Sequence, residues 1–151
     1  VVKGGLDVDI ARTILRYAPA GITLHGSNAV NTQDSQKINH VVKFGRPRKA
    51  YIWVNIIVNT FTDQSEFAET GYSTKIIENI IAYGEALKVG DDVILQRIIG
   101  KCVEVKGISK VQITIGKTTA LDSPEPSFGD NNITIAPDEE AIFDRTIIKV
   151  T

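Results

Sequence analysis

The sequence contains no methionine and one cysteine, Cys102, among its 151 residues. A single thiol excludes an internal disulfide framework and any multi-cysteine zinc site, and it fits a reducing compartment. With Val1 at its head and no methionine anywhere, the chain is expected to be a fragment or processed form of a longer product. A charge excess of either sign is also missing, since 17 basic side chains stand against 18 acidic ones. That balance supplies no general field for recruiting nucleic acid or an anionic membrane. The longest apolar runs are broken by Asn, Lys or Gly well short of the roughly 18 residues a membrane span needs. The first residues lack the charged-then-apolar pattern of a signal peptide.

What remains is an ordinary globular composition, 42% hydrophobic and 23% charged, enough to bury a core in one or two compact lobes. Along the chain, Val8, Ile10, Ala11, Ile14 and Leu15 recur at helical spacing among Asp9, Arg12, Thr13 and Arg16. Asp7 is the expected N-cap of this first helix, and Pro19 limits its end. Ala29 to Gln33 and Ile38 to Phe44 flank the turn-forming Asp34-Ser35-Gln36-Lys37, which predicts a hairpin.

The strongest strand signal is Ala50 to Thr60, where Ile52, Val54, Ile56 and Val58 alternate with Tyr51, Trp53, Asn55, Ile57 and Asn59. Because the second face begins with two aromatics, cover is expected there too, from a helix of this chain or from a neighbouring subunit. Ser73 or Thr74 is the expected cap of a helix with Ile76, Ile77, Ile80, Ile81, Tyr83 and Leu87 on its apolar face. After Gly90, Asp91 or Asp92 is expected to cap a second helix carrying Ile94, Leu95, Ile98, Ile99 and Cys102. Ile108 to Ile115 alternates as a strand, and 117–131 is a long polar loop. Ile133 to Ile135 and Thr146 to Val150 are expected as short closing strands about a turn at Ala136 to Glu140.

The predicted fold is therefore α+β. It has an N-terminal helix and hairpin over 1–49, a strand-helix-helix-strand core over 50–116, and a polar loop with C-terminal strands over 117–151, so that antiparallel hairpins flank the core.

No stretch carries a convincing set of catalytic, cofactor-binding or metal-ligating residues. Gly116-Lys117-Thr118 follows a strand, but the phosphate-loop pattern needs its first glycine at position 111, which is Val111. Asp91 with Asp92, and Asp138 with Glu139 and Glu140, are acidic clusters that helix capping and a solvated turn explain without a metal. His25 and His40 have no spacing that would place two ligands on one helix face. Cys102 falls on an apolar helical face, where a thiol packs rather than attacks. Arg46, Arg48 and Lys49 beside Tyr51 and Trp53 form a basic-aromatic cluster of the kind that stacks on single-stranded bases. Its bland reading is a surface turn entering a core strand. Asn132-Ile133-Thr134 matches a glycosylation sequon in letters only.

Several segments, taken in order, resemble the baseplate J family of phage tail proteins. They are Gly5 to Ile14, Pro19-Ala20-Gly21-Ile22 with Gly26, Val42 to Pro47, Ile52 to Val58, and Leu87 to Val93. The series continues with Val105 to Val111, Ile115-Gly116 and Ile135 to Asp144. No single one is specific; their order and spacing carry the resemblance, and the Asp122 to Asn131 loop is longer than that pattern leads one to expect.

The resemblance implies the C-terminal portion of a wedge protein in the baseplate of a contractile phage tail or related injection particle. Such a protein is a virion structural component, assembled in the bacterial cytoplasm, that contacts other wedge proteins and copies of itself. It implies no enzyme activity, no cofactor, no small-molecule substrate, no nucleic acid and no membrane. The alternative is a small hydrolase or nucleotide-binding enzyme fragment without a recognisable motif. A wedge protein is expected to contact its neighbour through the aromatic face of the Ala50 to Thr60 strand or through the polar loop.

Overall fold

A computed structural model describes residues 1–19, 21–61 and 71–151. Ala20, inside the Pro19 to Ile22 stretch, lies outside the described residues. The chain divides into two compact units, Val1–Arg48 and Lys49–Thr151.

The first unit is one helix on one hairpin. Helix α1 (Asp7–Tyr17) places Asp7 and Asp9 in its first turn and Arg16 in its last, the charge order that the helix dipole favours. Leu6, not Asp7, is the N-cap, and no side chain caps the helix. The Asp7 carboxylate is instead held by Arg46. Strands β1 (Asn28–Gln33) and β2 (Asn39–Phe44) pair antiparallel from Asn28↔Phe44 to Gln33↔Asn39. Their inward face, with Val30, Val42 and Phe44, packs under Ala11, Ile10, Ile14 and Leu15 of α1.

The second unit is built on β3 (Arg48–Thr60), whose burial follows the period of two: Ile52, Val54 and Ile56 are almost wholly buried. Helices α2 (Tyr72–Ala86) and α3 (Leu95–Val103) follow, and β4 (Ile108–Thr118) then pairs antiparallel with β3, from Tyr51↔Thr118 to Thr60↔Ile108. The predicted strand-helix-helix-strand core is present, and the fold is α+β. On the other edge of β3 lie β5 (Glu139–Ile142) and β6 (Ile148–Val150), the latter parallel to β3 at Val54↔Ile148 and Ile56↔Val150.

The first closing strand lies at Glu139–Ile142 rather than at the expected Ile133 to Ile135. β5 and β6 each add to β3 separately, so residues 117–151 complete the sheet of the second unit. Ile133 makes only a single bridge, to Val93. A 3-10 turn at Arg145–Ile147 precedes β6, and Asp144 caps it by accepting the Thr146 amide at 2.9 Å.

Both helices lie on one face of the sheet, where Ile76, Ile80, Tyr83, Ile98 and Cys102 join Ile52, Val54, Ile56, Ile113 and Ile115 in one core. α3 runs over β4, and α2 over β5 and β6. Within α2, Gly84 faces Phe143 so closely that a Cβ there would stand 2.3 Å from the Phe143 ring. Among the described residues, no helix is long and apolar enough to cross a membrane.

Candidate functional site

The helix starts depart from the sequence expectation. α2 begins after Gly71, at a φ of 67°, so Ser73 and Thr74 lie inside its first turn and cap nothing. α3 begins at Leu95 with Ile94 as N-cap, which leaves Asp91 and Asp92 outside it. Asp91 accepts the Lys88 amide at 2.9 Å, and Asp92 accepts the Ile135 amide at 2.8 Å, tying the interhelix turn to the C-terminal segment. The orphan amides of α3 are met from elsewhere. Ile94 donates to the Tyr83 hydroxyl at 3.2 Å, and Leu95 donates to the Asn132 side-chain oxygen at 3.0 Å. Asn132, the sequon residue, therefore acts as the remote cap of α3.

The other singled-out residues are dispersed as well. Gly116, Lys117 and Thr118 belong to β4, not to a loop. Lys117 Nζ reaches Glu139 at 2.8 Å, and Glu139 also accepts the Ala136 amide at 3.2 Å. The expected turn is present at Pro137 and Asp138, closed by the Glu139 amide on the Ala136 carbonyl at 2.8 Å, but Glu139 and Glu140 go on into β5 and are half-buried rather than solvated. Cys102 is wholly buried, and burial pushes its thiol up to about 12. His25 is exposed. Among the described residues, no group of three or more His, Cys, Asp or Glu is placed to hold a metal.

The basic-aromatic cluster divides in the same way. Arg46 lies 5.5 Å over the Phe44 ring and donates to the carbonyls of Val2 at 3.2 Å and Gly5 at 2.8 Å, besides Gly4 and Asp7. It straps the first residues to the end of the hairpin. Trp53 is buried, with its Nε1 donating to Thr118 at 3.0 Å, so its ring offers no stacking platform for a base. At Trp53 the cover comes from the polar loop rather than from a helix of this chain. The polar loop folds back, Gly129 pairs with Ile115, and Pro126 lies over Gly116, the cross-strand partner of Trp53. Lys149 of β6 holds the loop through Glu125.

Two features had no reading in the sequence. At the hairpin turn, His40 Nε2 meets Asp34 Oδ2 at 2.8 Å, while Asp34 Oδ1 accepts the Gln36 and Ile38 amides at 2.8 and 2.9 Å. The pair borders a cleft of about 610 Å³ lined mainly by Leu15, Pro19, Ile22, Leu24 and Val42. A hairpin with Asp at the turn and His on the returning strand was the available signal. The second feature is a groove of about 710 Å³ in the sheet unit, bounded by Asn55, Ile57, Gln112 and Thr114, by Gln96 and Ile99 of α3, and by Asp130.

The first cleft is also lined by Thr23 and Lys43, beside the Asp34–His40 pair. What the surface offers besides is apolar. In the first unit Leu6, Tyr17, Ile22, Ile38 and Val41 are each more than half exposed. No protein-family model matches the chain, and no curated protein sequence matches it.

Proposed function

We propose that this chain is a structural, non-enzymatic component of the baseplate wedge of a contractile phage tail or related injection particle, acting through subunit contacts. The observation that carries an assembly role is the inverted apolar balance of the first unit. Of its described apolar residues it buries only Ala11, Val42 and Phe44, yet exposes Val1, Leu6, Val8, Tyr17, Ile22, Ile38 and Val41. A two-stranded sheet is marginal in water by itself, and exposed apolar clusters mark surfaces that another protein covers. The ordered resemblance to the baseplate J family supplies the finer reading, with other wedge proteins and copies of itself as partners.

Of the two contact surfaces that the sequence suggested, the aromatic face is closed at Trp53, while the polar loop stays largely exposed. Trp53 is buried beneath the chain's own loop, so Trp53→Ala tests folding rather than contact. The polar loop, the apolar surface of the first unit and the open half of the sheet at Ile57, 54% exposed, are the faces left for neighbours.

The test is deletion of the gene in the particle-producing host, followed by electron microscopy of the tails, with the chain then traced into density of the complete particle. Baseplate-less or absent tails, and density in the wedge ring, are expected. Complete, contractile tails without the gene overturn the reading.

A further inference from the structure

Among the described residues, one edge of the second unit's sheet is unpaired beyond Ile115. Ile115 exchanges both backbone bonds with Gly129, at 2.8 and 2.9 Å, so its amide and carbonyl point away from β3. Backbone direction alternates along a strand, so Ile113 and Val111 present theirs on the same side. The parity agrees with β3, where Ile56 and Val58 bond outward, away from β4, to Thr151. Among the described residues none pairs with Val111 or Ile113 on that side.

Helix α3 leaves a matching flank open above this edge. Its buried stripe is Leu95, Ile98 and Cys102. A second stripe, Gln96, Ile99, Gly100 and Val103, follows the i, i+3, i+4, i+7 spacing of one helix face. This flank looks toward the open edge, since Gln96 and Ile99 line the groove with Gln112, Ile113 and Thr114. Val103 is 56% exposed, and nothing lies within 4 Å of a Cβ built on Gly100. α2 approaches from elsewhere on the helix, where Asn79 donates to the Lys101 carbonyl at 3.1 Å.

We propose that a second copy of this chain occupies the edge, with the two β4 strands antiparallel about a two-fold axis at Gln112. Val111 of each copy then faces Ile113 of the other, and both residues point their hydrogen-bonding groups outward, so four backbone bonds form. The α3 flanks meet above the joined sheet, where Gly100 lets the helices approach closely. Charges are complementary in this register. Lys110 of the second copy falls opposite Thr114, at the end of the groove where Asp130 stands as its one charged lining residue. The uncharged Gln112 sits on the axis, so no like charges oppose. The irregularity opposite Asn59 and Thr60 ends the regular part of β4 before Ser109, so the incoming strand stops short of Ile115, which Gly129 already fills. Such a contact is isologous and self-limiting.

The pairing deepens the assembly reading by naming one partner and one surface. Its test uses the purified chain, so it can fail while the particle-level test succeeds, and the reverse. Sedimentation velocity from low to high micromolar concentration is expected to show a concentration-dependent dimer. Gln112 is exposed, so Gln112→Lys and Gln112→Glu leave the fold intact by circular dichroism. Each is expected to raise the dimer dissociation constant by about tenfold or more, because like charges then face each other across the axis. Mixing the two variants restores association. Gln112→Cys is expected to give a covalent dimer on mild oxidation, since directly opposed residues of this type sit about 4.5 Å apart between Cα atoms. A wild-type chain that stays monomeric overturns the proposal. So does a dimer that Gln112→Lys leaves unchanged and Gln112→Cys does not cross-link.

Discussion

The Nε1 of Trp53 donates to the Thr118 hydroxyl at 3.0 Å, and that hydroxyl in turn donates to the Ala120 carbonyl at 2.9 Å. The indole is thus tied to the point where the polar loop leaves β4. The same loop returns with Pro126 over Gly116, beside that indole in the ladder. A polar segment fixed at both ends covers an aromatic face without contributing a helix or strand of its own.

Gly116→Ala tests that cover. A Cβ would stand 2.5 Å from Pro126 Cγ and 2.9 Å from the Ser127 carbonyl oxygen. Backbone cannot swing aside as a flexible side chain can, so the loop must lift. The expected cost is about 1–3 kcal/mol, the range of overpacked sites. Trp53 is the one tryptophan of the chain, so its emission should shift to longer wavelength as water reaches it. Unchanged emission with unchanged stability would show that the loop does not cover the ring.

Gly84→Ala sets two effects against each other. Alanine in a helix interior gains about 1 kcal/mol over glycine. Against this, the new Cβ would lie 2.3, 2.9 and 3.2 Å from Cδ2, Cγ and Cβ of Phe143, and a rotation of the ring does not move its Cβ. Overpacking at about 1–3 kcal/mol wins, and a net loss near 1 kcal/mol is expected in urea unfolding. In a Phe143→Ala background the same substitution should become neutral or stabilising.

Asp34 makes the hairpin sensitive to acid. The Ile38 amide, then the His40 side chain, hold its carboxyl below the ordinary aspartate value. A carboxylate with a lowered folded pKa adds stability that is fully present above the unfolded value, about 3.9, and is lost as pH falls through the folded one. Wild type should therefore exceed Asp34→Asn in urea midpoint at neutral pH, and the two should converge in acid. Parallel curves at every pH would remove Asp34 from the account.

Cys102 should be silent toward thiol reagents in the folded state. The thiol is wholly buried and its pKa stands at about 12, so thiolate is scarce at neutral pH. Reaction with a chromogenic disulfide should proceed only as fast as the second unit opens, and should accelerate with urea. Rapid labelling without denaturant would contradict this placement.

The elements were legible where the signal is local. The period of two through Ile52, Val54 and Ile56 marks β3, and the helical spacing of Ile98 and Cys102 marks α3, because burial on one face writes itself into consecutive residues. The helix start was misjudged because its cap, Asn132, lies 37 positions beyond Leu95, while Asp91 and Asp92 offered the right chemistry nearby. The cover over Trp53 was misassigned for the same reason, since nothing near Tyr51 announces Pro126. The parallel attachment of β6 also depends on a partner strand far back in the chain. Of the two clefts, the Asp34–His40 pair spans one turn and could have been found. The groove at Gln112 joins residues from five separate segments and could not.

The place of β6 has a consequence for synthesis. β3 emerges early, yet its second edge is filled only by residues 139–150, about 80 positions or more after Thr60 leaves the ribosome. At ordinary elongation rates that interval lasts roughly 4 to 20 seconds. Throughout it the most apolar strand of the molecule waits with one side unpaired, a template for any other nascent strand. Ribosomes that stall between β4 and β5 would release chains prone to cross-associate, so this unit reaches a safe state only when its last strand has been made.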